Sequence, residues 1–370
     1  MGNPIVAVRS SAANEDTAGG SAAGQYVSVL GVRGEARVHD AIVACRASAR
    51  SSRVTEYWRR NGSDPKGLTP DGAVLVQRLV VADVSGVMFT ASRVGGSTLI
   101  EASWGLGLSV VGGTVTPDRY EVTSDGSVQC TIGLKATRVD VNQQATGVVR
   151  GSVAEHLRTA RALTDGQVEA LARVGAQIAE LFGAPQDIEW AIAGGRTWVL
   201  QARPITAALP STPSLERRAP GAMLTGTPGS HGVVTARARI VRDHMDFARA
   251  RRGEILVCPY TDPAWVPLFA VAAGVITETG GMLSHAAIVA REYGIPAVLG
   301  VAGACGASAT GTASPSTARQ DASPWLTPVE AGDLAPAERR TAPVPRTPHR
   351  GLDRDTPGGR AGFAGSAGSA

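Results

Sequence analysis

Between residues 254 and 298 short apolar runs alternate with helix-like ones, and this alternation limits the possible folds of the chain more than any other feature. EILVCPY has the length and β-branched content of a buried strand, and Asp262 followed by Pro263 opens a short helix, AWVPLFAVAAG. GVIT is a second strand, and two glycines, Gly280 and Gly281, let the chain turn tightly. A helix then starts near Ser284 with His285 in its first turn; Arg291 and Glu292 form its polar end, and Gly294 and Pro296 stop it. Strand, helix, strand, helix, strand in this succession implies parallel pairing with right-handed crossovers, and so an α/β fold.

His285 is placed for chemistry. The first amide N–H groups of a helix have no intrahelical partners and the dipole favours negative charge there, so a phosphoryl group on His285 would be stabilised where it sits. Imidazole has an ordinary pKa of about 6.5, which leaves a neutral, nucleophilic nitrogen available near pH 7. A histidine beside two glycines is also an ordinary loop or cap residue, and spacing alone does not choose between the two.

Upstream, IVAVRSS is a short strand ending near Arg9, and SAANEDTAGGSAAGQYVSVLGV follows it. Small residues allow a backbone to approach a phosphate closely and offer amide donors, although a plain surface loop has the same composition. HDAIVACRASARSSRVTEYWRR has helical spacing with an arginine-rich outer face. GAVLVQRLVVADVSGVMFTAS predicts two strands around a turn near residues 82–85, and STLIEASWGLGLSVVGGTVTPDRYEVTS further strands separated by glycine turns. TDGQVEALARVGAQIAELF predicts an amphipathic helix capped by Thr164 or Asp165 and closed by Gly183. DIEWAIA, Gly194-Gly195 and RTWVLQARPI then read as a β-hairpin. Its alternation allows Glu189, Gln201 and Arg203 to share one face. A carboxylate beside an amide oxygen suits Mg²⁺ on a triphosphate, and an arginine fork suits phosphate, but exposed cross-strand polar pairs look the same.

Composition excludes several classes. The chain has 370 residues, 43% of them hydrophobic, which is enough for two domains with buried cores. Lys66 and Lys135 are the only lysines and the net charge is +4; the arginines are scattered, so nothing points to a nucleic-acid partner. Cys45, Cys130, Cys258 and Cys305 form no CxxC or Cys/His pattern, which fits reduced thiols in a cytoplasmic protein. No apolar run approaches the ~20 residues of a membrane span.

TETGGMLSHAAIVAREYGIPAV resembles the phosphohistidine segment of the superfamily that includes phosphoenolpyruvate synthase, pyruvate phosphate dikinase and rifamycin phosphotransferase. VRSSAANEDTAGGSAAGQYVSVLGV is similar to the nucleotide-binding loop of the same superfamily's ATP-grasp domain, and DIEWA…LQARPIT to that domain's end. The resemblance implies an α+β ATP-grasp lobe followed by a β/β/α phosphohistidine swivel domain. It further implies a phosphoryl group passed from ATP, with Mg²⁺, through His285 to an acceptor such as pyruvate, releasing AMP and phosphate. Arg9 would contact the phosphates, Gly24 and Ser28 would line the nucleotide site, and Gln77 would face the adenine. Glu189 and Gln201 would be metal or nucleotide ligands, and Arg203 a phosphate contact. The sequence departs from the pattern at Leu108, where the family has Glu, and at Ala91, Ser92 and Arg93, where it has a proline-containing segment.

The implied domains are a partial ATP-grasp domain over 1–205, a Pro/Ser-rich linker over 206–222, a phosphohistidine domain over 223–303 and a tail over 304–370. The tail is rich in Ala, Ser, Pro and Arg, reads as disordered, and is expected to be a frameshifted or non-homologous continuation. The family's ATP-grasp domain also has a lobe upstream of the VRSS loop with a lysine on the ATP phosphates, and neither Lys66 nor Lys135 stands in a matching context. That leads to the expectation of a partner chain supplying the lobe. A fragment resembling rifamycin phosphotransferase and a non-catalytic phosphocarrier are the alternative readings.

Overall fold

The computed structural model describes residues 3–11, 26–48, 50–51, 54–55, 73–91, 96–205 and 224–307. The expected linker over 206–222 lies outside the described residues, and so does the tail beyond residue 307.

The chain begins with a small antiparallel sheet in which β1 (Val6–Ser11) lies between β2 (Ser28–Val32) and β3 (Ala73–Arg78). A helix, Glu35–Ser48, covers it with Ala41 and Cys45 inward. It starts ahead of the predicted helix and its described part ends at Ser48.

A six-stranded sheet follows, formed by β4 (Val84–Phe89), β5 (Thr98–Trp104), β6 (Asp118–Val122) and β7 (Val128–Thr131), and completed by the later hairpin. Between these come a separate ribbon, β8 (Thr137–Val141) with β9 (Val148–Ser152), and a helix, Asp165–Phe182. The hairpin is β10 (Gln186–Ala193) and β11 (Arg196–Pro204), giving the order β11-β10-β4-β5-β6-β7, antiparallel throughout. Gly194 and Gly195 have φ of 54° and 75°, the pair of positive values that a two-residue hairpin turn requires.

The two strands expected to flank a turn at residues 82–85 part company: β3 stays with β1, while β4 crosses into the large sheet. Asp83 fixes the crossing, because its N–H donates to Ile192, its carbonyl accepts from Gly105 and its carboxylate accepts from Gly194. β4 is buried along its whole length, and Gly86 makes that possible: a Cβ there would collide with the Glu101 carbonyl and the Trp190 ring.

The Asp165–Phe182 helix covers one face of this sheet. Thr164 and Gln167 form a reciprocal capping box, and Gly183 ends the helix in the left-handed region at φ 70°. Val168 and Leu171 pack against Met88, Ile100, Tyr120, Ile188 and Trp190. Of these, Ile188, Met88, Ile100 and Tyr120 lie directly opposite one another on successive strands, so they form a single row.

The last sheet contains β12 (Thr227–Ser230), β13 (Ala238–Ile240), β14 (Ile255–Cys258), β15 (Gly274–Thr277) and β16 (Ala297–Leu299). β13 to β16 are parallel, as the alternation of the sequence implies, and β12 closes the far edge in antiparallel register beside β16. Both faces are covered. Ala286, Ala287, Val289, Trp265 and Phe269 pack on one side, and Val301 and Ala304 join Ile255, Val257 and Ile276 on the other. The predicted AWVPLF helix is a 3-10 turn, Pro263–Trp265, running into one α-turn, Val266–Phe269, with Asp262 accepting from the Ala264 N–H at 2.8 Å. The architecture is α/β, an antiparallel α+β portion followed by a mainly parallel one.

Candidate functional site

Strand register puts the hairpin residues on one face. Glu189 lies opposite Gln201 on β11 and opposite Val87 on β4; Val87 lies opposite Glu101, and Glu101 opposite Arg119. Residues directly opposite one another point the same way, so Gln201, Glu189, Val87, Glu101 and Arg119 form one row on the face away from the Asp165–Phe182 helix. Two residues along, Arg203, Asp187, Phe89 and Leu99 form the next row on that face.

Arg9 reaches this face from the other sheet. Its guanidinium donates to the amide oxygen of Gln201, 192 positions away in sequence, and lies 3.6 Å from the Glu189 carboxylate. Ser28 is opposite Arg9 and Gln77 is opposite Ala7, so all three side chains belong to the same face of the small sheet. Ser28 is exposed and Gln77 half-buried. Gly24 lies outside the described residues. Arg203 is bound to Asp187, with Nε and Nη2 each 2.8 Å from Oδ2. Burial pushes the Asp187 carboxyl up, against the opposing pull of Arg203.

Glu189 and Gln201 present a carboxylate and an amide oxygen side by side, already gathered around a cation, the Arg9 guanidinium. No group of three or more His, Cys, Asp or Glu able to hold a metal occurs among the described residues. Two protein oxygens fit Mg²⁺, which keeps waters and takes substrate phosphate oxygens instead of requiring a full protein cage.

His285 is the first residue of the His285–Glu292 helix and is 4% exposed. Its Nδ1 lies 3.1 Å from the Thr261 hydroxyl, which is itself buried. Ser284 occupies the N-cap with extended backbone but does not cap with its side chain; its hydroxyl donates to the Gly281 carbonyl at 2.8 Å. The helix N-terminal amides are therefore not taken by the N-cap hydroxyl.

The turn before His285 is bonded to the large sheet. The Thr279 hydroxyl donates to Gly113 O at 2.6 Å and the Gly280 N–H to Val115 O at 3.0 Å. Glu101 Oε1 accepts the Met282 N–H at 2.6 Å and Oε2 the Leu283 N–H at 3.2 Å. Met282 and Leu283 pack on Val87, Phe89, Leu99 and Val110, and the Arg150 guanidinium stands 5.6 Å over the Tyr260 ring. The Glu101 carboxyl is pushed up to about 7 by burial, against the two backbone N–H bonds and the positive charges of Arg119 and Arg291.

Sequence reasoning missed four of these groups. Glu101 was visible as the one acid inside the apolar run TLIEASW, and Asp187 as the alternate-position neighbour of Glu189. Thr261 gave no signal. Arg291 was expected at the polar end of the helix; instead it turns inward and donates to Gly229 O at 2.8 Å and Met282 O at 2.9 Å. Burial lowers it to about 10.

A sheet face that gathers Arg9, Glu189 and Gln201 is met by a turn that carries a buried histidine, and comparison with known proteins places the chain in a family. Residues 1–217 match the family described as pyruvate phosphate dikinase, AMP/ATP-binding domain, and residues 250–314 the PEP-utilising enzyme, mobile domain. The chain belongs to the pyruvate phosphate dikinase family of PEP-utilising enzymes. It is 39% identical over 303 residues to the probable phosphoenolpyruvate synthase of Methanothermobacter thermautotrophicus, covering 81% of this chain and 44% of that protein. Against the phosphoenolpyruvate synthase of Pyrococcus furiosus the identity is 38% over 311 residues, covering 80% of this chain and 38% of the relative. For the Escherichia coli phosphoenolpyruvate synthase it is 34% over 319 residues, covering 80% and 41%. The chain thus spans less than half the length of these relatives. No helix among the described residues is long and apolar enough to cross a membrane.

Proposed function

We propose that this chain is the nucleotide-binding and phosphohistidine part of an ATP-dependent phosphotransferase of the phosphoenolpyruvate synthase kind, with pyruvate or a similar small molecule as final acceptor. The observation that carries the reading is the shared sheet face: the Glu189–Gln201 pair and the Glu101 anchor of the His285 turn stand in one row. Glu189 and Glu101 are two strands apart, which at about 4.8 Å per strand is about 10 Å. A phosphate bound near Arg9, Glu189 and Gln201 therefore lies close to the turn that presents His285.

In this reading Arg9 and Arg203 hold phosphate oxygens, Ser28 and Gly24 line the nucleotide pocket, and Gln77 faces the base. Glu189 and Gln201 hold the Mg²⁺ that accompanies the nucleotide and neutralises its charge. The lone pair of a His285 ring nitrogen attacks the β-phosphorus, the bond to the α-phosphate bridging oxygen breaks, and AMP leaves with that electron pair. The γ-phosphate is later released to water as inorganic phosphate. Thr261 orients the ring, and the positive end of the helix dipole stabilises the phosphorylated form. Residues 1–205 act as the nucleotide lobe and 223–303 as the travelling domain, joined through residues 206–222. Further nucleotide contacts and the acceptor site belong, in this reading, to the part of the relatives' length that this chain does not match, on the same protein or on a partner chain.

The test is incubation with Mg²⁺ and ATP labelled separately at the β and γ positions, comparing native protein with His285→Ala. Acid-labile label from the β position only, absent in the variant, is expected. Label from the γ position alone would replace this reading with a one-step kinase, and no label, alone or with cell lysate, would end it.

A further inference from the structure

Glu101 is the most buried acid in the described structure with no cation bonded to it. It is 1% exposed, its two oxygens accept backbone N–H groups from Met282 and Leu283, and those residues lie three and two positions before His285. The neighbouring elements contribute little else that could satisfy it. β4 offers Val87, β6 offers Arg119, whose Nη1 points at Met282 Sδ 3.4 Å away, and the His285 helix offers Arg291, which is bonded to two carbonyls. Gly281 completes the fit, since a Cβ there would run into the Glu101 carboxylate. The carboxyl group thus holds, through two hydrogen bonds, a peptide turn belonging to a different part of the chain, 181 residues away.

We propose that Glu101 is a positioning residue: its carboxyl group clamps the Met282–Leu283 turn and so holds His285 against the sheet face that carries Glu189 and Gln201, and its release frees the His285 segment to travel. The inference rests on the phosphohistidine reading for its purpose, but the clamp is a separate physical claim. A clamp must be breakable, and this one contains a single group whose charge decides its strength. The buried carboxyl changes charge near neutrality, and ionisation favours the water-exposed, released state, so the docked population falls as pH rises through about 7.

Backbone hydrogen exchange on the full chain, read beside β-labelling from ATP, tests it. Glu101→Ala removes both acceptors and Gly281→Ala attacks the same contact from the other side. Both are expected to speed exchange at Met282 and Leu283 by about tenfold or more, the loss of hydrogen bonds to a buried acid, while β4 and β6 stay protected. Both are expected to slow labelling of His285 by about tenfold at unchanged KM for ATP, since Arg9, Glu189 and Gln201 are untouched. Glu101→Gln keeps one acceptor and the shape, so it should label at a rate near the native one, with its pH dependence through about 7 abolished. Should Glu101→Ala lose protection in β4 and β6 as well, Gly281→Ala decides. Unchanged exchange at Met282 and Leu283 would overturn the clamp, and faster exchange with unchanged labelling would reduce Glu101 to a structural brace. If native protein takes no label, the phosphohistidine reading falls and the exchange result still decides the clamp.

Discussion

Replacing Lys135 with Met tests whether one of the chain's two lysines serves the nucleotide or the fold. Lys135 and Asp118 are both fully buried and form an ion pair. Asp118 also accepts the Gly133 N–H at 2.9 Å, the Ala162 N–H at 2.7 Å and the Tyr120 hydroxyl at 3.3 Å. It therefore ties β6 to the segment that enters the Asp165–Phe182 helix. Lys135→Met leaves a buried carboxylate with neutral donors only, and breaking a buried pair in this way costs about 3–5 kcal/mol. For a folded unit of this size 1 kcal/mol moves the midpoint by about 2–4 °C, so calorimetry at pH 7 should show a fall on the order of 10 °C. The double variant Lys135→Met, Asp118→Asn buries no charge and should recover a large part of that loss. At 20 °C, where the single variant stays folded, labelling from ATP should be unaffected, unlike that of a phosphate-binding lysine. A midpoint within about 2 °C of native, or a double variant worse than the single, would refute the argument.

Two further outcomes follow from local structure. Thr164→Ala removes one half of a capping box and should cost about 1 kcal/mol, read as a lower denaturant midpoint with an unchanged slope. Burial raises Glu101 to about 7, so its protonated form is favoured in the docked state. Its contribution is complete below the ordinary carboxylate range and is lost as pH rises through about 7. Relative to Glu101→Gln, the native protein should therefore lose up to about 3 kcal/mol between pH 5 and 8 in a thermal-denaturation series. A difference that is flat or grows in the native protein's favour would contradict this.

What the sequence disclosed and what it hid follow from the range of the interactions involved. The Asp165–Phe182 helix was legible because Thr164, Gln167 and Gly183 are local signals that stand at its ends. The hairpin was legible for the same reason, and its alternation allowed Glu189, Gln201 and Arg203 to share one face, as the register has them. The separation of β3 from β4 was not, since two of the three partners of Asp83, Ile192 and Gly194, belong to the hairpin more than a hundred residues on. Arg9 could be linked to Glu189 and Gln201 only by resemblance, because the contact joins two sheets. Arg291 misled for a physical reason: on a short helix its charge suggests solvent, but it is spent on the carbonyls of Gly229 and Met282. Glu101 stood out as an acid in an apolar strand, yet nothing in the strand itself says that its partner is a peptide turn at the other end of the chain.

The most direct measurement is localisation of the phosphate by tandem mass spectrometry under alkaline conditions, after brief exposure to Mg²⁺-ATP and with AMP quantified in the same sample. The account predicts phosphate on His285, lost on acidification, with one AMP formed per phosphate incorporated. Phosphate on another residue, or ADP in place of AMP, would contradict it.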